Sequence, residues 1–409
     1  MELALEPPEQ AADAEPRLRI EGADPGIEVA LELRTVDAVG NRWVGTESVA
    51  TDVAGSADVP LGDLLQRMEF DADDVAPTNF VAPPDWLEFE LEATAGGDRA
   101  ATSQVRRWRP AGIEPETVSG NGFSGRWFPA EGDAPRAAML IIPGSTGVAM
   151  VEPRAALFAA HGYDVLLAAY MQEPGLPASL CEVPLESIAA AMAALREPTS
   201  AERVVAFSGS VGTGGMLAAL AYGLIDADAA IALAPASVIW QALPDGGEPP
   251  KTGSWTLDGE VLPWASFAGE RVLPEMAAHA IRGRFSRHPR PKALHLRSAY
   301  AAGLAKHDAA ERAAIPVERI DCPLLLVAGD DDQMWPSAEM AAAIASRREA
   351  AGTGDGDVVL TLAGAGHFLE PPFAPATVAW NDDLVSGGVA EGNAAAQRQS
   401  WQAILDFAG

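Results

Sequence analysis

The chain has only two cysteines, Cys181 and Cys322, in 409 residues. They lie far apart and in no metal-like spacing, which argues against a disulfide framework and a zinc site, so both are expected to be buried or incidental thiols. No metal and no cofactor is implied. Positive charge is scarce as well. The lysines are Lys251, Lys292 and Lys306, and 28 Lys+Arg stand against 58 Asp+Glu for a formal net charge of −30. Phosphate-rich partners would be repelled, so neither nucleic acid nor an anionic membrane is an expected partner. Long apolar runs are missing too: nothing reaches the about 18 residues a membrane helix needs. The opening MELALEPPEQAADAEPRLR has no basic segment followed by an apolar one. A soluble, cytoplasmic protein is the expectation. An acidic, lysine-poor, alanine-rich chain suits a high-salt cytoplasm, and equally a GC-rich genome; an unfolding midpoint indifferent to molar salt would dismiss the first.

What is present is a globular composition, 48% apolar, in a chain long enough for two domains of unequal size. Residues 1–16 are Glu/Pro/Ala-rich and read as a loose acidic tail. From 17 to 112 short alternating runs dominate, among them IEVALELRTVD (27–37), RWVGTESVATD (42–52) and DWLEFELEATA (85–95). Such alternation marks half-buried antiparallel strands, and a small β-sandwich is expected. From 113 to 409 the character changes to unbroken apolar strands alternating with helices: strands at 137–142, 163–170, 203–207, 229–233, 322–330 and 357–362, with helices between them and a terminal helix around 395–408. That pattern implies a mostly parallel sheet covered on both faces, an α/β domain. Residues 237–310 interrupt the rhythm with Pro, Gly and Trp and are expected to form a lid-like insertion.

At VVAFSGSVGTGG (204–215) a strand-like run breaks into serines and glycines and resumes as a helix. An α/β-hydrolase carries Gly-x-Ser-x-Gly at such a place, with the nucleophile in a tight turn and small residues two positions to either side. Ser210 has Ser208 and Gly212 in those places, whereas Ser208 as nucleophile would leave no room for the turn after strand 203–207. A phosphate loop is excluded because no Lys follows, and the glycine spacing does not fit a dinucleotide fold. In this fold the acid and the base follow the serine in that order. VAGDDDQMW (327–335) supplies the acid, with the spacing from Gly329 favouring Asp332 and then Asp331; GAGHFLEPP (364–372) supplies His367. Both follow predicted core strands. His161 reads instead as a helix C-terminal residue facing the helix dipole. The loop IIPGSTGV (141–148) occupies the place of an oxyanion hole, in which backbone amides near Ser145 or Thr146 act with that of Val211, each donor being worth roughly 10²–10³ in rate.

Taken in order, these segments resemble the acyl-CoA thioesterase and bile acid-CoA:amino acid N-acyltransferase family. The resemblance rests on LRIEGADPGIEVALELRTVD, PGSTG with EPRAALFAAHGYDVLLAAY, the elbow, IPVERIDCPLLLVAGDDDQMW, GAGHFLEPPF and AQRQSWQAILDF. It implies an α/β-hydrolase fold behind a β-sandwich, with Ser210 as nucleophile, Asp332 as acid and His367 as base. In that family the hydrolases generally use serine and the amino-acid N-acyltransferases cysteine, so Ser210 implies hydrolysis of acyl-CoA thioesters; N-acyl transfer, a plain carboxylesterase and a non-catalytic acyl-binding protein are the alternatives. Ser208 replaces the usual first glycine of the elbow, and the stretch 237–310 resembles the family poorly. Within it, IRGRFSRHPRPKALHLR (281–297) gathers Arg282, Arg284, Arg287, Arg290, Lys292 and Arg297 without an acid. In so acidic a chain that cluster is expected to bind CoA phosphates, through Arg287, Arg290 and Lys292 first, or else to be a solvated arginine face.

Overall fold

Two sheets arise from the alternating segments. The computed structural model describes residues 1–72, 78–132, 134–245, 249–285, 293–376 and 384–409, the side chains of 283–285 excepted. Glu2–Glu6, Arg17–Glu21 and Ala57–Pro60 form an antiparallel three-stranded sheet. Glu28–Val36, Arg42–Ala50, Trp86–Ala95 and Asp98–Arg107 dominate a six-stranded one. In Glu28–Val36 the residues Val29, Leu31 and Leu33 are buried while Glu28 and Arg34 face solvent. Leu18 and Ile20 of the smaller sheet share one core with them, so the two sheets are the halves of a sandwich.

The first sixteen residues differ from the expectation of a loose tail. Glu2–Glu6 pairs residue for residue with Arg17–Glu21, and Glu9–Ala11 runs parallel to the end of Asp98–Arg107. Prolines and acids mask a short alternation, Leu3 and Leu5, and once the neighbouring strand offers an edge Leu5 has a core to enter.

The second part is an eight-stranded sheet, numbered here in chain order: β1 (Glu116–Gly120), β2 (Phe123–Phe128), β3 (Ala137–Ile142), β4 (Tyr163–Ala169), β5 (Val204–Gly209), β6 (Ala229–Leu233), β7 (Leu324–Gly329) and β8 (Val358–Leu362). Their spatial order is β1-β2-β4-β3-β5-β6-β7-β8. From β4 to β8 all neighbours are parallel, and β2 runs antiparallel to β1 and β4. Every residue of β3 and β4 is buried, because helices cover both faces: Met139 and Ile141 enter one core, Leu140 and Ile142 the other. The hairpin β1–β2 was not expected, since ETVSG carries too few apolar residues to register as a strand.

The parallel connections deliver the loops after β3, β5, β7 and β8 to one edge of the sheet. Beside them lies the insertion between β6 and β7, which contributes Trp255–Leu257 and Glu260–Val261 to a short sheet completed by Val183–Pro184, and the helices Leu273–Phe285, Arg297–Leu304 and His307–Ala313. Its Trp240 and Tyr300 pack on Trp335 of the loop after β7, with ring centroids 6.4 and 5.6 Å away. Among the described residues no helix is long and apolar enough to cross a membrane.

The sandwich is fastened to the terminal helix Ala390–Ala408. Gln66 Nε2 donates to Ala394 O at 3.0 Å and to Gln397 Oε1 at 2.8 Å, and Asp13 accepts from Trp401 Nε1 at 2.8 Å and pairs with His161. His161 does cap the helix Glu152–Ala160, and its ring holds this acid as well. Burial opposes ionisation of Asp13, but His161 and Trp401 outweigh it and hold the carboxyl below its ordinary value of 3.8. A depressed carboxyl stabilises the fold fully above that value, and the contribution is lost as pH falls through the lower folded one. Asp13→Asn should therefore lower unfolding free energy by about 1–3 kcal/mol at neutral pH, and the deficit should shrink as the medium is acidified below 3.8. Denaturant titrations at several pH values check this; a deficit independent of pH would refute it.

Candidate active site

Strand β5 ends at Gly209 and the chain turns at Ser210, whose φ is 55°. A non-glycine residue in that region costs of order 1–3 kcal/mol and persists only when its surroundings impose it. They do: Ser210 N–H donates to Leu233 O at 2.9 Å, and Ser210 O accepts from Thr213 N at 3.0 Å and Thr213 Oγ1 at 2.6 Å. The turn is also crowded. A Cβ on Gly212 would lie 2.4 Å from Pro143 O and 2.7 Å from Ser208 Oγ, and one on Gly144 3.1 Å from Gly209 O. Only glycines let the loop after β3 and the helix Gly212–Ala221 approach so closely. Ser208 is fully buried, and its hydroxyl donates to Ile142 O of its register partner at 2.9 Å. That hydroxyl closes the seam between β3 and β5, while Ser210 alone of the two faces the cleft.

His367, 5% exposed, follows β8, and its backbone N–H donates to Ser386 O at 2.9 Å. Its Nε2 stands 2.9 Å from Ser210 Oγ and its Nδ1 2.8 Å from Asp332 Oδ2. Asp332 is fully buried; its other oxygen accepts from the amides of Met334 at 2.9 Å and Trp335 at 3.2 Å. The imidazole is wedged edge-on between the rings of Trp335 and Phe368, 5.7 and 5.4 Å away. A buried acid supplied with donors on one oxygen and imidazole on the other fixes which ring nitrogen carries hydrogen, leaving Nε2 to accept from the serine.

The three consecutive aspartates divide their work. Asp330 accepts from Gly364 N at 2.7 Å and Asp331 from Gly388 N at 3.0 Å, ties that hold the histidine loop and its neighbour, while Asp332 turns inward. Sequence reasoning had no signal for Arg297 in this role: its guanidinium donates to Asp332 O at 2.8 Å and pairs with Glu339. It braces the acid's loop and is not a free member of the basic cluster. Arg287, Arg290 and Lys292 lie outside the described residues, and Arg282 is exposed on the helix Leu273–Phe285. Arg154 was also missed. It is buried below the site, donating to Leu369 O at 2.7 Å and Glu370 Oε2 at 2.8 Å, which anchors the chain just after His367.

Ser145 and Thr146 lie in the loop that Gly144 presses against Ser210. Among the described residues, the amides of Ser145, Thr146 and Val211 donate to no backbone carbonyl. Val211 precedes the helix Gly212–Ala221, whose N-terminal end favours negative charge. A cavity of about 170 Å³ opens here, bordered by Ser145, Thr146, Ser210 and His367.

A sheet in the order described, with a left-handed serine after β5, an acid after β7 and a histidine after β8, defines an α/β-hydrolase, an enzyme class. In comparison with known proteins, residues 270–408 match the family described as BAAT / Acyl-CoA thioester hydrolase C terminal. Over 387 residues, 92% of this chain and 82% of the relative, it is 25% identical to acyl-coenzyme A thioesterase 6 of Mus musculus. It is 27% identical over 332 residues, 79% of this chain and 70% of the relative, to acyl-coenzyme A amino acid N-acyltransferase 1 of the same organism. A shorter match, 38% over 100 residues, is to the mouse peroxisomal succinyl-coenzyme A thioesterase and spans only 24% of that protein and 23% of this chain.

The place of Ser208 yields a test. Ser208→Gly removes one buried hydrogen bond at the seam and should lower stability by about 1 kcal/mol while the rate of Ser210 labelling by a fluorophosphonate is retained. Denaturant unfolding and labelling kinetics check it, and unaltered stability with lost labelling would instead assign Ser208 to the chemistry.

Proposed function

We propose that this protein hydrolyses acyl-CoA thioesters to a free carboxylic acid and CoA, through an acyl ester on Ser210. The observation that carries this reading is the unbroken relay Asp332–His367–Ser210, at 2.8 and 2.9 Å, ending on a serine held in a left-handed turn. His367 Nε2 takes the Ser210 proton as Oγ attacks the thioester carbonyl carbon. Negative charge on the carbonyl oxygen is received by the Val211 amide and by the loop amides at Ser145 or Thr146. The carbon–sulfur bond then breaks, and His367 returns the proton to the departing thiolate. Water, deprotonated by the same imidazole, attacks the ester and frees the acid while Ser210 regains its proton. Asp332 holds the imidazole in place and stabilises the imidazolium.

Serine supports hydrolysis over transfer to an amine, because water deacylates a serine ester readily and a thioester intermediate suits an amine acceptor better. CoA phosphates would be received by Arg287, Arg290 and Lys292, the concentrated positive charge of an otherwise acidic chain.

Replacing Ser210 by Ala should cost about 10⁶-fold in kcat, and Asp332→Asn about 10⁴-fold through the wrong imidazole tautomer. Mass analysis of products, with glycine and taurine present, checks the reaction itself: free acid is expected, and an acyl conjugate would establish the N-acyltransferase. A neutral ester turned over faster than every acyl-CoA would establish the carboxylesterase, and no turnover together with no fluorophosphonate labelling a binding protein.

A further inference from the structure

The loop that carries His367 is held at both ends by side chains distant in sequence. Downstream, Arg154 donates to Leu369 O at 2.7 Å. Upstream, the buried amide of Gly366 donates to Asn393 Oδ1 at 2.9 Å. Asn393 stands in the first turn of the terminal helix Ala390–Ala408, with three alanines directly after it. Asparagine is a poorer helix former than alanine, so local preference does not explain its presence there. The backbone around it is cleared of side chains: a Cβ on Gly388 would lie 2.2 Å from Asn393 Oδ1, and one on Gly392 2.1 Å from Gly364 O. The start of this helix is in turn gripped by the sandwich. Gln66 Nε2 donates to Ala394 O and Gln397 Oε1, Arg398 donates to Gln66 Oε1, and Gln66 O accepts from Ala376 N at 3.0 Å. The Ala376 carbonyl faces Asn393 Nδ2 at 3.5 Å. Phe373, on the same stretch, has a left-handed backbone with φ 63°, and its ring closes on Gly62, where a Cβ would lie 2.6 Å from it. A bulky residue in that region persists only where its surroundings impose it.

We propose that Asn393 is a positioning residue for His367, and that the sandwich, through Gln66, sets where Asn393 stands. The route is short. Gln66 fixes the carbonyl that follows Asn393 along the helix, Asn393 fixes the amide that precedes His367, and His367 Nε2 meets Ser210 Oγ at 2.9 Å. Both residues act through backbone groups, so they shape the base without entering the chemistry. Without the Asn393 oxygen the Gly366 amide is a buried donor that has to find another acceptor, and the histidine loop moves to reach it. A displacement of about 1 Å in such a frame is enough to cost about 10²-fold in rate. The inference rests on the role of His367 as base in the function proposed above, though not on a thioester as the substrate. On this account the sandwich is a working part of the catalytic geometry, because it holds the helix from which the histidine loop hangs.

The test reads the relay without a thioester, as the second-order rate of Ser210 labelling by a fluorophosphonate. Asn393→Ala should slow labelling by about 10- to 100-fold. Asn393→Asp, which keeps an oxygen acceptor for the Gly366 amide, should restore the parent rate. Gln66→Leu should slow labelling as well, and the double variant Gln66→Leu/Asn393→Ala should lose no more than Asn393→Ala alone, because both act through one contact. Circular dichroism confirms that each variant folds; should Asn393→Ala not fold, Asn393→Ser, whose hydroxyl falls short of Gly366, takes its place. A second readout needs no reaction. The proton that His367 Nδ1 donates to Asp332 gives a far-downfield NMR resonance, expected sharp in the parent and in Asn393→Asp and broadened by exchange with water in Asn393→Ala. A folded Asn393→Ala that leaves either readout unchanged overturns the proposal. So does an Asn393→Asp as impaired as Asn393→Ala, or a double variant whose loss is the product of the two single ones. Where the parent is not labelled, the same comparisons are read from the resonance. Failure of the thioesterase reading shows separately, as absent acyl-CoA turnover by a chain whose labelling or resonance still follows Asn393.

Discussion

Everything at the candidate site depends on how closely three backbones meet at Ser210. The serine can hold φ at 55° because Leu233 O fixes its amide and Thr213 fixes its carbonyl. The loop after β3 can reach it because Gly144 and Gly212 present no side chain. Strain of this kind is stable only inside a rigid frame. The frame is the fully buried parallel core of β3, β4 and β5, stitched at its upper end by the Ser208 hydroxyl.

Around that point the charges are arranged to leave one proton path. Asp332 is buried and fully supplied with donors, Asp331 and Asp330 are spent on backbone amides, and the imidazole is clamped by two aromatic rings. Arg297 and Arg154 hold the two loops that carry the acid and the base. In a chain with so large an excess of acids, these two arginines thus stand behind the loops of the candidate site as braces.

Much of this was legible in the residues. Unbroken apolar runs such as AAMLII mark parallel strands because burial on both faces removes any need for alternation, and the order serine, acid, histidine follows from where such strands deliver their loops. Asp332 was distinguishable from Asp331 by spacing from Gly329. Other features were hidden for physical reasons. ELALE is too short and too charged to announce a strand until Arg17–Glu21 gives it an edge, and β1 and β2 depend on β4 in the same way. Arg297 and Arg154 act through contacts spanning from 35 to 216 positions of sequence, for which no local pattern exists.

The central claim is that Ser210 carries the acyl group. The most direct measurement is to mix the protein with an acyl-CoA, quench in acid within the first turnover, and identify the modified peptide by mass spectrometry. The account predicts one acyl mass on the peptide that contains Ser210, absent after Ser210→Ala. Turnover without that adduct in any quench, or an adduct on another residue, would contradict it.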